Sequence, residues 1–269
     1  MDIVEILIRV GLGVVAGVVG GLAGLGGSII MLPAMAMIWG YDDEEQTRHH
    51  VYMAAAMVVN VVVALSSTVM HAKKKAARKD VLMSLVPSMT AGMAAGVLMA
   101  GESPGRWSLV AFAGFIWLYC IYNIVTTIKK MPDHPIDSPS PSGWKMVAVG
   151  LFVGIVSGYL GIGGGILLVP LLQISGLPLR HAIAGSAGVM WISSIIGASL
   201  KLYTLPSISR VDGTHLTIGD AMSFAVPIGA GALMGAYLGA WIAHKIKLPH
   251  LKLVIALILA VAAVKMVMR

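Results

Sequence analysis

The chain has 269 residues, of which 58% are hydrophobic and 12% are charged, and its formal net charge is +7. Soluble domains carry about 25% charged residues, so this composition excludes an ordinary water-soluble protein and indicates a surface covered by lipid. The basic residues lie in short clusters between long apolar runs, which is how membrane proteins set their orientation, and no motif supports nucleic-acid binding. The single cysteine, Cys120, excludes an internal disulfide, and no Cys/His spacing predicts a metal.

Apolar segments follow one another along most of the chain. Residues 1–9 carry Asp2 and Glu5 before any base and lack the features of a secretory signal peptide, so we expect them to begin a membrane segment. A spanning helix needs about 20 apolar residues. Six segments meet that length as single helices: 51–70, 81–100, 107–128, 182–203, 219–243 and 250–268. Two others, 3–39 and 146–175, are interrupted by clustered glycines, which predicts broken helices.

The two broken segments carry the same motif. Gly21-Leu-Ala-Gly24-Leu-Gly26-Gly27-Ser28 with Pro33 recurs as Gly158-Tyr-Leu-Gly161-Ile-Gly163-Gly164-Gly165 with Pro170. Further pairs follow in the same order, Arg48-His49 with Arg180-His181 and Val86-Pro87 with Val226-Pro227. This predicts an all-α integral membrane protein with two homologous repeats of about four helices, each with a glycine-broken first helix. The repeats are residues 1–128 and 146–269, joined by a Pro/Ser-rich linker at 129–145.

The loop charges favour inverted over parallel repeats. The loop at 71–80 is rich in lysine while its counterpart at 204–218 has one arginine, and the bias is reversed between 101–106 and 244–252. Inversion requires each broken segment to return to the face that it entered. Residues 3–39 allow two spans, whereas 146–175 are too short and predict a shallow hairpin. The 71–80, 129–145 and 244–252 loops are then cytoplasmic, and both termini are outside.

The glycine breaks predict an anion site. A helix that begins inside the membrane presents free N–H groups and a positive dipole end, which bind anions without a full buried charge. Two such ends, one per repeat, can meet near the midplane. Close helix packing by small residues is the alternative use of these glycines. The site hypothesis predicts that Gly164→Leu abolishes solute binding while the protein still inserts and folds.

Polar side chains supply further candidates. Arg48 and Arg180 at helix mouths suit an oxyanion, and His49, His50 and His181 are candidates for proton coupling; anchoring of the helix ends is the alternative. Within the spans, Asn60 and Ser186 are candidate hydrogen-bond donors to the solute, although bonds to a neighbouring helix are the commoner role. Lys201 is either an intramembrane charge or a side chain that snorkels to the surface. No Asp or Glu lies deep in a clear span, which disfavours a cation pump.

At these motifs the chain resembles the TauE/SafE sulfite exporter family. The doubled glycine motif carries the resemblance, which covers essentially the whole chain. The resemblance implies a permease without ATPase domains whose solutes are sulfite, sulfonates and related organic anions. It implies an anion site that includes Gly26, Gly27, Ser28, Gly163, Gly164 and Gly165. The two repeats differ at two positions: Ser28 stands where the second repeat has Gly165, and Ala54 where it has Ser186. The two halves would therefore contribute unequally to the anion site.

The combined expectation is a multi-pass protein of the bacterial inner membrane that exports a small sulfur-containing oxyanion, sulfite or an organosulfonate, by alternating access with proton coupling. It is not expected to be an enzyme, since hydrolase and metalloprotease motifs are missing from the sequence, and no cofactor is expected. The alternatives are an uptake permease for another organic anion, an anion channel and a non-transporting assembly subunit. A homodimer packed through glycine faces (Gly92, Gly96, Gly231, Gly235, Gly239) is a further expectation, which internal packing would explain equally well.

Overall fold

The computed structural model describes residues 2–23, 26–72, 78–128, 134–135, 138–139 and 141–242. Nine α-helices lie within these residues: α1 (Ile3–Ala23), α2 (Ser28–Trp39), α3 (His49–Ala72), α4 (Lys79–Gly101), α5 (Gly105–Ile128), α6 (Gly143–Leu160), α7 (Gly165–Ile174), α8 (Leu179–Thr204) and α9 (Ile218–Ile242). Seven of them are long and apolar enough to cross a membrane, while α2 and α7 are shorter apolar helices. The predicted all-helical membrane fold is confirmed.

Five of the six predicted straight spans coincide with helices, namely α3, α4, α5, α8 and α9, to within three residues at either end. The sixth, 250–268, lies outside the described residues, as do Gly24, Lys73, Lys74, Lys75, the whole of the 244–252 loop and part of the predicted linker. Helix α6 begins at Gly143, so the last three residues of that predicted linker are helical.

Hydrogen bonds define the two ends of the bundle. At one end, which we call the Ser103 face, the loops 40–48, 102–104 and 205–217 meet; the Arg106 N–H donates to the Glu45 carbonyl over 2.8 Å. At the other end, the linker face, Arg78 Nη1 donates to the Ser138 carbonyl over 2.7 Å. There too, His134 Nε2 lies 3.0 Å from the Gln173 carbonyl at the end of α7.

The first broken segment is a re-entrant hairpin. Helix α1 enters from the Ser103 face, where Arg9 near its start donates to the Ser223 carbonyl of α9. Helix α2 returns to that face, since the carbonyl of Gly40 at its end accepts a hydrogen bond from the Tyr52 hydroxyl at the start of α3. The expectation of two full spans in 3–39 is wrong, because α2 has only 12 residues and reaches about 18 Å at 1.5 Å per residue.

The second broken segment forms a matching hairpin at the opposite end. Helices α6 and α7 begin and end at the linker face, next to Ser138 and His134. The predicted turn at the glycines is correct, but the hairpin is deeper than expected. The Gly143 start of α6 makes an 18-residue helix that meets the length and hydropathy of a membrane span, and only α7, with 10 residues, is short.

Glycines let two pairs of parallel helices pack backbone to backbone. A Cβ built on Gly96 in α4 would lie 2.1 Å from the Ile155 carbonyl oxygen of α6, and one on Gly235 in α9 would lie 2.1 Å from the Val14 carbonyl oxygen of α1. Gly92, Gly231 and Gly239 are equally close to the same partner helices. These faces are therefore occupied within the chain, which is the internal-packing alternative.

Candidate functional site

The two glycine breaks meet at one side chain, Asn60, halfway along α3. The backbone N–H of Ser28, the first residue of α2, donates to Asn60 Oδ1 over 3.3 Å. A Cβ built on Gly26 would lie 3.2 Å from Asn60 Oδ1, and one built on Gly163 would lie 3.2 Å from Asn60 Nδ2. The same two Cβ positions lie 3.5 Å and 2.9 Å from the sulfur of Met190 in α8. We call these five residues the central site.

Backbone conformation explains why glycines form the turns. Gly26, Gly161 and Gly164 have φ values of +80°, +71° and +77°, in the left-handed region that a residue with a Cβ rarely adopts. Left-handed Gly161 ends α6 by donating to the Gly158 carbonyl over 3.4 Å, while the next N–H, of Ile162, bonds the Ser157 carbonyl over 2.9 Å. The turns are buried in protein, which is where non-helical backbone at membrane depth is tolerated.

The remaining motif residues hold the hairpins rather than contact Asn60. Gly27 packs against α1, where its Cβ position lies 3.2 Å from the Ala16 carbonyl, and Gly165 begins α7. Gly164 faces away from the site: a Cβ there would lie 2.3 Å from Met89 Cε and 2.9 Å from Ser157 Oγ. Together with its positive φ, this crowding means that Gly164→Leu strains the fold, so the expectation that this variant folds normally is wrong.

Buried hydrogen-bond donors lie along the helices that frame the central site. Asn60 Nδ2 has no hydrogen-bond partner among the described residues, and neither do four serine hydroxyls in the same region: Ser67, Ser157, Ser186 and Ser194. Ser186 and Ser194 each lie one helical turn from Met190 on α8, and residues four apart share a face. Buried polar groups are normally satisfied, so a row of unsatisfied donors indicates a place for water or a polar solute.

The electrostatics of the central site favour a negative ligand. The first N–H of α2 lies on Asn60, and α7 begins at Gly165, two residues after Gly163, so the positive ends of two helix dipoles lie close to the site. No Asp or Glu is present in α2, α3, α7 or α8. Across the described residues, no group of three potential metal ligands occurs. Neutral donors without a carboxylate suit an oxyanion better than a cation.

The first predicted Arg-His cluster lies at the Ser103 face, away from the central site. Arg48 forms an ion pair with Asp42 at 2.7 Å in the loop before α3. His49 and His50 are buried; His49 Nδ1 lies 3.1 Å from the Tyr41 hydroxyl, and His50 Nε2 lies 3.1 Å from the Ser103 carbonyl. These contacts do not bring Arg48 to the glycine breaks.

The second predicted cluster lies at the other end of the bundle. Arg180 is exposed and His181 is half-buried at the start of α8, next to the linker face. The two arginines therefore occupy opposite ends of the protein, and neither is part of the central site. The structure therefore does not bring the two arginines together in a single pocket.

Two residues near these sites needed the structure to be recognised, and a third, Lys201, needed it to be placed. Met190 separates the two glycine turns, and Ser157 lies behind Gly164. Lys201 is completely buried, so the snorkelling alternative is wrong; its Nζ lies 3.0 Å from His50 Nδ1. A methionine or a serine within an apolar run gives no sequence signal of this kind, whereas a lysine three residues before a helix end did.

Comparison with known proteins decides the family. The sequence model of the family described as "Sulfite exporter TauE/SafE" matches residues 9–266. The chain belongs to this family. It is 26% identical over 95% of its length to a "Probable membrane transporter protein" of Methanocaldococcus jannaschii, 93% of which is covered. Proteins with the same description in Bacillus subtilis and Haemophilus influenzae are each 24% identical, with 94% and 98% of both chains covered. No solved structure matches the chain.

The family and the helices together establish the broad class of this TauE/SafE member. It is a multi-pass membrane protein with seven candidate spans in its described part, and it is a membrane transporter rather than an enzyme. The resemblance drawn from the doubled glycine motif is confirmed. The central site lies within the matched residues, at the convergence of both copies of that motif.

Proposed function

We propose that the protein is a secondary transporter that exports a small sulfur-containing oxyanion, sulfite or an organosulfonate, across the bacterial inner membrane. The convergence of α2 and α7 on Asn60 carries this proposal. It supplies neutral donors and two positive helix ends, and an oxyanion with several acceptor oxygens satisfies them. The family description supports the same solute class.

The arrangement of helices supports alternating access. Two hairpins, each of one long and one short helix, enter from opposite faces, and each places its turn beside Asn60. The two halves of the chain pack against each other in a symmetric way. The first helix of each half packs along a helix of the other half, α1 along α9 and α6 along α4, and α3 packs against α8 between these pairs. Rocking of one hairpin against α3 and α8 would open the central site to one face while the other hairpin keeps it closed.

Proton coupling is part of the proposal, with His49, His50 and His181 as candidates. His49 and His50 lie on the Ser103 side of the central site and His181 lies towards the linker face. An imidazole ring can bind and release a proton, which is the reason that these three side chains are the candidates. Single substitutions to glutamine, tested under an imposed pH gradient, identify the histidine whose loss removes the stimulation.

The first experiment is counterflow of labelled sulfite in proteoliposomes. Vesicles loaded with unlabelled sulfite are diluted into labelled sulfite, with and without a pH gradient, and protein-free vesicles are the control. We expect saturable uptake that an alkanesulfonate inhibits and that the pH gradient changes. Conduction without saturation would indicate an anion channel. No counterflow in vesicles that hold folded protein would contradict the sulfite proposal and favour another organic anion or a non-transporting subunit.

A further inference from the structure

Lys201 is a buried amine without an acidic partner. Its side chain has 0% exposure, although it lies only three residues before the end of α8. None of the four ion pairs within the described residues includes it; they join Arg9 with Glu5, Arg48 with Asp42, Arg78 with Asp80 and Arg210 with Asp220. A buried ammonium that lacks an anionic partner is strongly unfavourable.

The hydrogen-bond partner of Lys201 is neutral. His50 Nε2 faces the Ser103 carbonyl, which only accepts, so Nε2 carries the proton and Nδ1 accepts. Lys201 Nζ is therefore the donor in the 3.0 Å bond to His50 Nδ1. This bond satisfies one N–H of the amine and does not balance its charge.

His49 adds a second buried donor beside the amine. The Tyr41 hydroxyl, in the loop before α3, lies 3.1 Å from His49 Nδ1; burial, helped by the neighbouring Tyr52 phenol, raises the pKa of Tyr41, so the hydroxyl keeps its proton and can donate to the ring. When Tyr41 donates, the proton of neutral His49 is on Nε2, which is buried and has no partner among the described residues. His49 lies close enough to Lys201 for an electrostatic interaction.

This cluster lies on the same helix faces as the central site. α3 and α8 are antiparallel, and Lys201 follows Met190 by as many residues as His49 precedes Asn60. Eleven residues are close to three helical turns, so Lys201 shares a face of α8 with Met190, and His49 shares a face of α3 with Asn60. At 1.5 Å per residue, the cluster lies about 16 Å from the central site along the helices. A solute that moves from Asn60 along this seam to the Ser103 face passes Lys201.

We propose that Lys201, His49 and His50 form a second binding station for a small oxyanion, between the central site and the Ser103 face. The inference rests on the proposed function in one respect, namely that the transported solute is an anion. The station supplies what the central site lacks, an amine that can carry a positive charge, together with the unpartnered Nε2 of His49. His50 positions the amine through its bond to Nζ. An oxyanion between these donors neutralises the buried amine, which is why the chain can keep it there.

The test is oxyanion-dependent thermal stability of the purified protein in detergent, with sulfite and sulfate as probes and gluconate as the bulky background anion. The wild type is expected to melt at a higher temperature as either probe is added. Asn60→Asp is expected to remove the part of this rise that comes from the central site. Adding Lys201→Met to Asn60→Asp is expected to remove the remaining rise, whereas adding Lys201→Arg keeps it.

Without either probe, Lys201→Met is expected to melt no lower than the wild type, because it removes an unbalanced buried charge at similar volume. A lower melting temperature with an unchanged rise would show that Lys201 only braces His50, and would overturn the station. No rise in the wild type with either probe would also overturn it. If the Lys201-dependent rise occurs while sulfite counterflow is absent, the station holds and the proposed transport of sulfite fails.

Discussion

At the scale of single residues, Asn60 has two distinct ends. Its Oδ1 accepts from the first N–H of α2, and its Nδ2 lies beside Gly163 without a partner among the described residues. One end holds a hairpin in place and the other is available to a solute. Substitutions that change only one end therefore separate structure from function.

Asn60→Asp keeps an acceptor for the Ser28 N–H and replaces the free donor by a negative charge. We expect sulfite counterflow to fall by about tenfold or more, since a hydrogen bond to a charged group contributes roughly 1.5–3 kcal/mol. Asn123→Asp is the matched control, because Asn123 is also buried but its amide bonds its own helix at Tyr119. An equal loss in both variants would show a folding effect and not a solute contact.

Gly163 is a sharper test of the central site than Gly164. A Cβ at Gly163 meets the flexible end of Met190 at 2.9 Å and Asn60 Nδ2 at 3.2 Å. Gly163→Ala is therefore expected to raise the KM for sulfite severalfold with a small change in melting temperature. Gly114→Ala in α5, whose Cβ would meet nothing within 4 Å, serves as the control. Unchanged KM would place the solute elsewhere.

At the scale of helices, backbone contact between α4 and α6 stabilises the second hairpin. Alternating glycines from both helices interlock, and the closest approaches are to carbonyl oxygens, which cannot move like a side chain. In lipid this close packing replaces the hydrophobic force that drives helices together in water. The hairpin that supplies Gly163 thus depends on the fit of a helix from the other half.

Gly96→Val is expected to lower the free energy of unfolding by about 1–3 kcal/mol or to prevent folding, because its Cβ would overlap the Ile155 carbonyl. Thermal unfolding in detergent measures this. Gly114→Val introduces the same side chain at an open position of α5 and should cost little. If the two variants melt at the same temperature, the contact between α4 and α6 is looser than described.

At the scale of the whole molecule, the two hairpins open to opposite ends of the bundle, so each one faces a different compartment. α1 and α2 open to the Ser103 face, and α6 and α7 open to the linker face. The reversed loop charges predict that the linker face is cytoplasmic. Under the proposed export, the anion would pass from Arg180 at the linker face by Asn60 and Lys201 to Arg48 at the Ser103 face.

This topology is testable with single cysteines. Cys120 is the only cysteine, so Cys120→Ser provides a background for Ser103→Cys and Ser138→Cys. In intact cells, an impermeant thiol reagent is expected to label position 103 and not position 138, while inside-out vesicles give the reverse. Labelling of both from one side would contradict the inverted arrangement. The reverse labelling would keep the fold and exchange its compartments.

Sequence alone determined the membrane class, the positions of five described spans, the two breaks and the family. Each depends on a local property, since long apolar runs and clustered glycines are visible along the chain. Tertiary structure alone decided that both breaks meet at Asn60, that Gly164 faces away from it, and that the glycine faces are used within the chain. It also showed that Lys201 is buried beside His50, 151 residues earlier in the sequence. Such contacts depend on how helices distant in sequence pack, and helical periodicity carries no information about the partner.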